Sequence, residues 1–312
     1  MEFFRKDTHI DFMGKRGLVA VLLAILTVVS LGSLVVRGLA LGLDFTGGTL
    51  IEVSYDKPAD LAAVRKALED SGFDDAVVQH FGSPRDVMVR LAPRTDVKSA
   101  ELSTKVLGIL QQTSSEPVKM RRVEYVGSQV GGELTEQGGL AMLFALIGIL
   151  IYVALRFEWR FSLGAVLATI HDTVFTLGFF SLFQIEFDLT VMAAVLAVIG
   201  YSLNDTIVVF DRIRENFRRV RTGSVSDIMN ISINQTLSRT IMTSGTTMLV
   251  VVALFVFGGQ VVHGFALALI VGILIGTVSS IYVASPMALW LGVTRANMAP
   301  VKKPGADAEA GP

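Results

Sequence analysis

Six long apolar stretches constrain what this chain can fold into more than any other feature. Of its 312 residues 52% are hydrophobic, with a mean hydropathy of +0.58, and these residues are concentrated in runs. A helix needs about 20 mostly apolar residues to cross the roughly 30 Å hydrocarbon core of a bilayer. The runs lie at about 18–36, 140–155, 162–183, 189–210, 240–257 and 264–290. The sequence therefore predicts a multi-pass α-helical membrane protein with six transmembrane helices.

The first apolar run has two interpretations. Basic residues precede it, as they precede the apolar core of a secretory signal peptide. The run is longer than that core usually is, however, and no small-residue cleavage motif follows it. We therefore interpret 18–36 as a retained membrane anchor.

Lysine and arginine mark one side of the predicted membrane. The loops 184–188 and 258–260 contain neither residue. The other loops and ends carry Arg5, Lys6, Lys15, Arg16, Arg156, Arg160, Arg212, Arg214, Arg218, Arg219, Arg221, Lys302 and Lys303. By the positive-inside rule, both termini are cytoplasmic and the long connection 37–137 lies outside the cytoplasm. The basic stretch after the fourth run could also be an RNA or lipid patch, but topology explains it without either.

These assignments divide the chain into five parts. A cytoplasmic N-terminus (1–17) precedes the first transmembrane helix (18–36), and an external domain (37–137) precedes helices two to six (138–292). The remaining residues, 293–312, are polar and rich in Ala, Gly and Pro, which predicts a disordered cytoplasmic tail.

The external segment has a regular α+β pattern. Strand patterns occur at 50–55, 76–81, 86–91 and 118–126, and helical periodicity occurs at 59–72 and 97–112. The order βαββαβ is that of the ferredoxin-like, or split βαβ, arrangement. Because the chain has no cysteine, this domain must fold on its own core, without disulfides.

Composition and motifs exclude several classes of function. The net charge is −1, and no basic patch is interleaved with aromatic residues, which argues against nucleic-acid binding. The absence of cysteine rules out thiol catalysis and cysteine-ligated metals. The external segment shows no catalytic arrangement and no cluster of metal ligands. We expect neither enzymatic activity nor a cofactor, and the external domain is interpreted as a binding or moving domain.

Ionisable residues inside the apolar runs are the candidate functional residues, because a charge at the bilayer centre costs at least a few kcal/mol. Asp172 lies near the middle of the third run, Asp205 lies in the fourth, and Arg239 opens the fifth. Runs four and five are antiparallel, so Asp205 and Arg239 can lie at similar depth. A carboxylate beside a guanidinium holds a proton poorly and binds one when the guanidinium moves away. This pair is therefore a candidate proton switch driven by helix movement.

Each of these residues also has a structural interpretation. Asp205 and Arg239 can form a buried pair that only fixes helix packing, and Asp172 has a local partner in His171. Asn204 and neighbouring hydroxyl side chains can carry water or hydrogen bonds between helices. Gly272 and Gly276 form a GxxxG pattern, whose simplest meaning is close helix packing within the chain.

Six sequence motifs together resemble the SecD/SecF family of protein-export membrane proteins. They are LGLDFTGGT at 41–49, VEYVGSQVGGEL at 123–134, EWRF at 158–161, GYSLNDTIVVFDRIREN at 200–216, TLSRT at 236–240 and GTVSSIYVASP at 276–286. The similarity runs from the first helix to about residue 292. One departure is Ser128, where relatives often have proline; it affects only the entry into the second helix.

The resemblance implies a fold and a function. This family belongs to the resistance-nodulation-division (RND) superfamily, whose bundles consist of two pseudo-symmetric halves of six helices. The resemblance implies that this chain is one half and SecD the other, in the bacterial inner membrane, with the external domain in the periplasm. The pair would associate with SecYEG, and SecA, YajC and YidC are further implied partners. Proton-motive force would then drive the late translocation of a preprotein, with the family's coupling residues falling on Asp205 and Arg239.

Two further expectations complete this interpretation. Two segments are predicted hinges between the external domain and the membrane helices: 43–48, which contains Asp44, and 126–132. Their glycine pairs, Gly47–Gly48 and Gly131–Gly132, tolerate large changes in φ and ψ. Two rival functions remain open: a proton-driven small-molecule exporter subunit of the RND type, and a structural scaffold of a membrane complex. Exporters of that type usually carry two large external insertions, whereas this chain has one small domain.

Overall fold

Six membrane-length helices form the larger part of the structure. The computed structural model describes residues 8–94 and 99–294. Within these residues the helices long and apolar enough to cross a membrane are α1 (Arg16–Val36), α5 (Ser128–Arg156), α6 (Trp159–Phe183), α7 (Leu189–Arg219), α8 (Val225–Phe257) and a last helix (Gln260–Trp290). The last helix consists of α9 (Gln260–Ser279), a π-helical turn (Ser280–Ala284) and α10 (Ser285–Trp290). The predicted multi-pass fold is confirmed.

Three of these helices extend by more than two turns beyond the apolar runs that predicted them. Helix α5 begins at Ser128, ahead of the expected start of the membrane region at 138. Helix α7 continues to Arg219, and α8 begins at Val225 rather than near 240. Hydropathy detects only the part of a helix that is apolar on all sides. The extra turns of α7 and α8 are stabilised by side-chain hydrogen bonds between the two helices, such as that from Asn216 Nδ2 to Ser232 Oγ at 2.9 Å.

The segment between α1 and α5 folds as the predicted α+β domain. Its strands are β2 (Gly48–Ser54), β3 (Val77–Phe81), β4 (Ser83–Leu91) and β5 (Lys119–Val126), and its helices are α3 (Leu61–Glu69) and α4 (Ser99–Gln112). The strands form one antiparallel sheet in the order β3-β4-β2-β5. This is the split βαβ order, in which β4 lies between β2 and β3. The predicted start of the second helix, at 97, lies outside the described residues.

The two helices cover one face of this sheet and enclose the core of the domain. Alternate residues of the strands, among them Ile51, Val53 and Val89, are fully buried against Leu68 of α3 and Val106 of α4. The residues between them, such as Leu50 and Glu52, lie on the opposite face of the sheet. That face lacks a covering helix of its own and is turned towards the membrane helices.

A short connection that the hydropathy pattern did not predict joins the domain to the membrane helices. Strand β1 (Ala40–Leu41) pairs in parallel with β6 (Glu186–Phe187), which lies between α6 and α7. One turn of helix follows, α2 (Leu43–Thr46), and leads directly into β2. Two-residue strands and a single helical turn are too short to leave a periodic signal in sequence.

The residues that precede α1 are hydrogen-bonded to the N-terminal end of α8. Met13 N–H donates to Asn230 Oδ1 at 2.9 Å, and Ile10 N–H donates to Asn234 Oδ1 at 2.9 Å. Phe12 and Met13 are buried in the same apolar cluster as Ile228. Residues 8–14 therefore form a clasp across the bundle, on the side opposite the α+β domain. The predicted features at 1–7 and 295–312, including the disordered tail, lie outside the described residues.

Helices α7 and α9 approach one another closely because α9 presents glycine at the contact. A Cβ atom on Gly272 would lie 2.2 Å from Val198, and one on Gly276 would lie 2.9 Å from Ser202. Neither position has room for a larger residue. The GxxxG pattern thus mediates packing within the chain, as its simplest interpretation predicted.

We predict that the segment 42–127 folds in isolation as an α+β unit, because it contains a complete sheet, two covering helices and its own core. Replacing the fully buried Leu68 by alanine should lower its free energy of unfolding by about 2–5 kcal/mol. Circular dichroism with urea titration measures both outcomes. Val77→Ala, at a strand position that is 47% exposed, is the control and should change stability little. A random-coil spectrum would contradict the prediction.

Candidate functional site

Asp205 lies buried in α7 among hydroxyl side chains. Its side chain is 4% exposed, and Ser244 of α8 donates to its Oδ2 at 3.4 Å. The Ser244 hydroxyl also lies 2.9 Å from Thr277 Oγ1 of α9 and 3.5 Å from the Tyr201 hydroxyl of α7. We call these four residues the Asp205 cluster. It joins three helices around one carboxylate at membrane depth.

Arg239 lies near this cluster but does not form the expected ion pair with Asp205. The guanidinium is close enough to attract the carboxylate electrostatically. Its side chain, however, lies on the exposed surface of α8, and among the described residues it forms no ion pair. Spacing along the sequence does not determine the direction in which a side chain points around its helix axis. The paired state of the predicted switch is therefore not the state of this structure.

Asp172 is the centre of a second polar cluster. Its side chain is 1% exposed in α6, and its Oδ1 lies 2.9 Å from His171 Nδ1. Its Oδ2 accepts hydrogen bonds from Ser202 of α7 and from Ser279 of α9, the latter at 2.7 Å. We call these four residues the Asp172 cluster. It joins α6, α7 and α9, so Asp172 has partners on two further helices besides the local partner that the sequence suggested.

The two clusters share helices α7 and α9. Ser202 donates to Asp172, and it is also the residue against which Gly276 packs. Thr277 belongs to the Asp205 cluster, and Ser279 belongs to the Asp172 cluster. A displacement of α9 would therefore change a hydrogen bond to Asp172 and a hydrogen bond to Ser244, the residue that donates to Asp205.

Two buried polar atoms beside these clusters have no hydrogen-bond partner within the described part of the chain. They are His171 Nε2 and Thr240 Oγ1. Buried polar groups are rarely left unpaired, because each costs about 1–3 kcal/mol. Thr240 lies one helical turn from Ser244, on the same face of α8. Both atoms are therefore positions at which a buried water molecule could be hydrogen-bonded.

Asn204 lies on the exposed side of α7, away from both clusters. The exposed positions of this helix recur at helical spacing and carry small or polar residues: Thr190, Ala193, Ala197, Gly200 and Asn204. Small residues let two helix backbones approach closely within a membrane. This face of α7 has the composition of a helix–helix contact, although no helix of the described chain covers it.

Asp44 caps α7 from a distant part of the chain. The Leu189 N–H donates to Asp44 Oδ2 at 3.0 Å, and the Val191 N–H donates to Asp188 Oδ1 at 2.8 Å. Two carboxylates thus satisfy backbone donors of the first turn, where the helix dipole favours negative charge. The motif around Asp44 is therefore connected directly to the helix that carries Asp205.

The four predicted hinge glycines have different roles. Gly47 and Gly48 adopt φ angles of 68° and 124°, which favour glycine, and a Cβ on Gly48 would lie 2.2 Å from the Leu91 carbonyl oxygen. Gly131 and Gly132 instead lie in the regular helix α5, and their role as a hinge stays a prediction. Gly131 is needed for close packing, because a Cβ there would lie 2.9 Å from Gly47 N. Gly132 is exposed, with open space around it.

A cleft of about 630 Å³ separates the open face of the sheet from the loops of the membrane helices. Arg90 of β4 bridges it: its Nη1 donates to the Leu41 carbonyl at 2.8 Å and lies 3.5 Å from Glu186 Oε1. Burial raises the pKa of the Glu186 carboxyl, and the Arg90 charge opposes that shift. Arg90 and the connection β1–α2 therefore both join the α+β domain to the membrane helices, and the turn at Gly82 also lies against Gln260 of α9.

The chemistry available here is proton or ion binding at buried carboxylates. Within the residues described, no group of three or more His, Asp and Glu side chains could hold a metal ion. The sequence identified Asp172 and Asp205, whose charges stand out in apolar runs. It did not identify Ser244, Thr277 or Ser279. The signal that could have found them is the presence of several hydroxyl residues within the otherwise apolar helices α8 and α9.

Two family models match this chain. The model for the C-terminal region of the protein-export membrane proteins SecD and SecF matches residues 105–294, and the model for the SecD/SecF GG motif matches residues 32–59. The second match includes Asp44, Gly47 and Gly48. Together they cover both the membrane helices with the two clusters and the connection to the α+β domain.

Known relatives resemble the chain over nearly its whole length. It is 54% identical to protein translocase subunit SecF of Vibrio alginolyticus, with 98% of each chain covered. It is also 54% identical to SecF of Pseudomonas aeruginosa, over 93% of this chain and 94% of that one. The crystal structure of SecDF, a translocon-associated membrane protein from Thermus thermophilus, superposes with a TM-score of 0.83 at 37% identity. That match covers 93% of this chain but only 39% of the longer SecDF chain.

We predict that Asp44→Ala destabilises the protein by about 1 kcal/mol, because the Leu189 N–H loses its acceptor at the start of α7. Thermal or denaturant unfolding of the full chain in detergent measures the loss. Asp44→Asn should retain most of the stability, since asparagine is an equally good cap. Equal stability of the alanine variant and the wild type would show that this cap contributes nothing.

Proposed function

Because the chain belongs to the SecD/SecF family of protein-export membrane proteins, we propose that it is an accessory subunit of the Sec translocase. In this proposal it pairs with SecD and couples the proton-motive force to late-stage translocation and release of polypeptides across the bacterial inner membrane. It makes and breaks no covalent bond in its substrate, so it is not an enzyme. The α+β domain lies in the periplasm, and both termini lie in the cytoplasm.

The observation that supports this proposal best is the burial of Asp205 with no countercharge from the described part of the chain in contact with it. The carboxylate is 4% exposed, and the hydrogen bond it accepts comes from a neutral hydroxyl, Ser244. An ionised carboxylate at membrane depth is costly when it is not paired, so this position favours uptake of a proton. Approach of the nearby Arg239 would favour its release. Alternation between the two arrangements is a proton-binding cycle.

The exposed face of α7 supports the pairing with SecD. That face carries Asn204 and small residues, and Arg239 is exposed on α8. These groups are polar or only weakly hydrophobic, and they lie at membrane depth. Contact with lipid would leave Asn204 and Arg239 unsatisfied, whereas a second helical half can cover them. Asp205 itself points into this chain's own bundle, so in our proposal Asn204 and Arg239 meet SecD and Asp205 lies just behind them.

The connection to the α+β domain suggests how ion binding becomes movement. Asp44 caps α7, the helix that carries Asp205, and Gly47 and Gly48 follow within the same connection. A shift of α7 would therefore be transmitted to β2 through a few residues. The moving domain would act on the translocating preprotein at the outlet of SecYEG. SecA, YajC and YidC remain further proposed partners, together with the surrounding lipid; no nucleic acid is involved.

The two rival functions make different predictions. A proton-driven small-molecule exporter would need a substrate pathway, yet the one external domain is small and folds around a filled core. A scaffold would need its buried carboxylates only for packing. The Asp172 cluster, whose carboxylate accepts three hydrogen bonds or close polar contacts, fits a packing role better than Asp205 does.

We predict that Asp205→Asn abolishes gradient-driven export while leaving assembly intact. Asparagine nearly matches aspartate in shape and can keep the contact with Ser244, but it cannot bind and release a proton. The measurement is gradient-dependent completion of translocation in vesicles that contain the SecDF–SecYEG complex. Ser244→Ala, which keeps the carboxylate, should retain partial activity.

Asp70→Asn, at an exposed position of the α+β domain, is the charge-matched control and should export normally. Co-purification with SecD tests whether each variant assembles. Full export by an assembled Asp205→Asn variant would favour the scaffold function over the coupling function.

We predict that a cysteine at Ala197, on the exposed face of α7, crosslinks to a cysteine in the matching helix of SecD. This chain has no cysteine of its own, so it contributes no background reaction. The control is Leu150→Cys on α5, a position that is 46% exposed and lies on another helix. Crosslinking at Leu150 but not at Ala197 would place the interface elsewhere.

A further inference from the structure

A basic pocket lies at the end of α7 that is farthest from the α+β domain. Its volume is about 340 Å³, within the range of small-ligand sites. It is lined by four arginines and two carboxylates, a net charge of +2: Arg156, Asp211, Arg214, Glu215, Arg218 and Arg219. The positive-inside rule requires basic residues near this end of the helix, but it does not require them to converge on a cavity.

Three of these arginines are held in place by other side chains, and one of them, Arg219, places its Nη2 2.9 Å from Glu215 Oε1. Arg156 Nη2 donates to both oxygens of Asp211, at 2.9 and 2.7 Å. The guanidinium groups of Arg156 and Arg214 lie over the ring of Phe157, at 5.1 and 5.4 Å from its centroid. Arg214 also lies 3.5 Å from Asp211. The arginines are thus oriented before any ligand arrives, which lowers the entropy cost of binding.

The pocket adjoins exposed apolar surface at the boundary of the membrane. Tyr152 lies one turn before Arg156 on the same face of α5 and is 51% exposed. Leu155 is 84% exposed, and Trp159, at the start of α6, is 57% exposed. Aromatic residues at this depth are typical of the region of lipid headgroups. A ligand here therefore meets cations on one side and hydrocarbon on the other.

We propose that this pocket binds the phosphate of an anionic glycerophospholipid, with the acyl chains along the exposed face of α5. Guanidinium groups recognise phosphate oxygens through paired hydrogen bonds, and the net charge of the pocket favours a headgroup that carries a full negative charge. Free phosphate offers the same oxygens, but it has no apolar part that could contact Tyr152 and Leu155. The lipid would link the ends of α5 and α7.

The proposal is tested by native mass spectrometry of the intact complex released from membranes that contain phosphatidylglycerol and phosphatidylcholine. The wild type should retain phosphatidylglycerol preferentially. Arg214→Gln should reduce retention about fivefold, the equivalent of the ~1 kcal/mol that one arginine contributes near an anionic surface. The variant should fold, because Arg156 still neutralises Asp211. Its melting temperature in phosphatidylcholine alone should equal that of the wild type.

Two control variants distinguish lipid binding in this pocket from general electrostatic attraction between basic residues and anionic lipid. Lys15→Gln removes a charge at the same end of the bundle but outside the pocket, and it should leave retention unchanged. Arg214→Lys keeps the charge without the planar fork and should give an intermediate loss. Equal losses for Lys15→Gln and Arg214→Gln, or no loss in Arg214→Gln, would overturn the proposal. Stabilisation by millimolar inorganic phosphate in phosphatidylcholine, equal to that by phosphatidylglycerol, would also overturn it.

Discussion

The close contact between α7 and α9 is the constraint on which the rest of the membrane bundle depends. Gly272 and Gly276 leave no room for a side chain between α9 and Val198 or Ser202 of α7. Apolar burial drives helix association weakly inside a bilayer, so packing and polar contacts must hold the helices together. The contact brings Ser279 to Asp172 and Thr277 to Ser244, and so it assembles both polar clusters. A larger residue at either glycine would separate the hydroxyl groups from the carboxylates that they serve.

The sequence predicted features that leave a local signal. Long apolar runs gave the six helices, and alternation along the strands gave the order of the α+β domain. Asp172 and Asp205 stood out because charge is rare in such runs. Contacts between distant segments left no such signal: the cap from Asp44 to Leu189, the pair β1–β6 and the clasp of residues 8–14 each join parts of the chain that are far apart.

The direction in which a side chain points around its helix axis leaves no signal in the sequence. Spacing along antiparallel helices placed Arg239 at the depth of Asp205, but rotation about the helix axis decides whether the two groups meet. Similarly, two adjacent glycines suggested a hinge in both pairs. At Gly47 and Gly48 the backbone adopts angles that require glycine, whereas at Gly131 the missing side chain makes room for Gly47 itself. Glycine is thus required for the backbone conformation at Gly47 and Gly48, and for close packing at Gly131.

The clasp of residues 8–14 has a consequence for biosynthesis. Its hydrogen bonds join residues 217 to 226 positions apart. A ribosome that adds about 5–20 residues per second needs roughly 10–45 s to produce the intervening chain. Throughout that time the start of the protein has been made while its docking surface on α8 has not. The Asn230 and Asn234 contacts therefore cannot form until four of the six membrane-length helices and the start of the fifth have been synthesised.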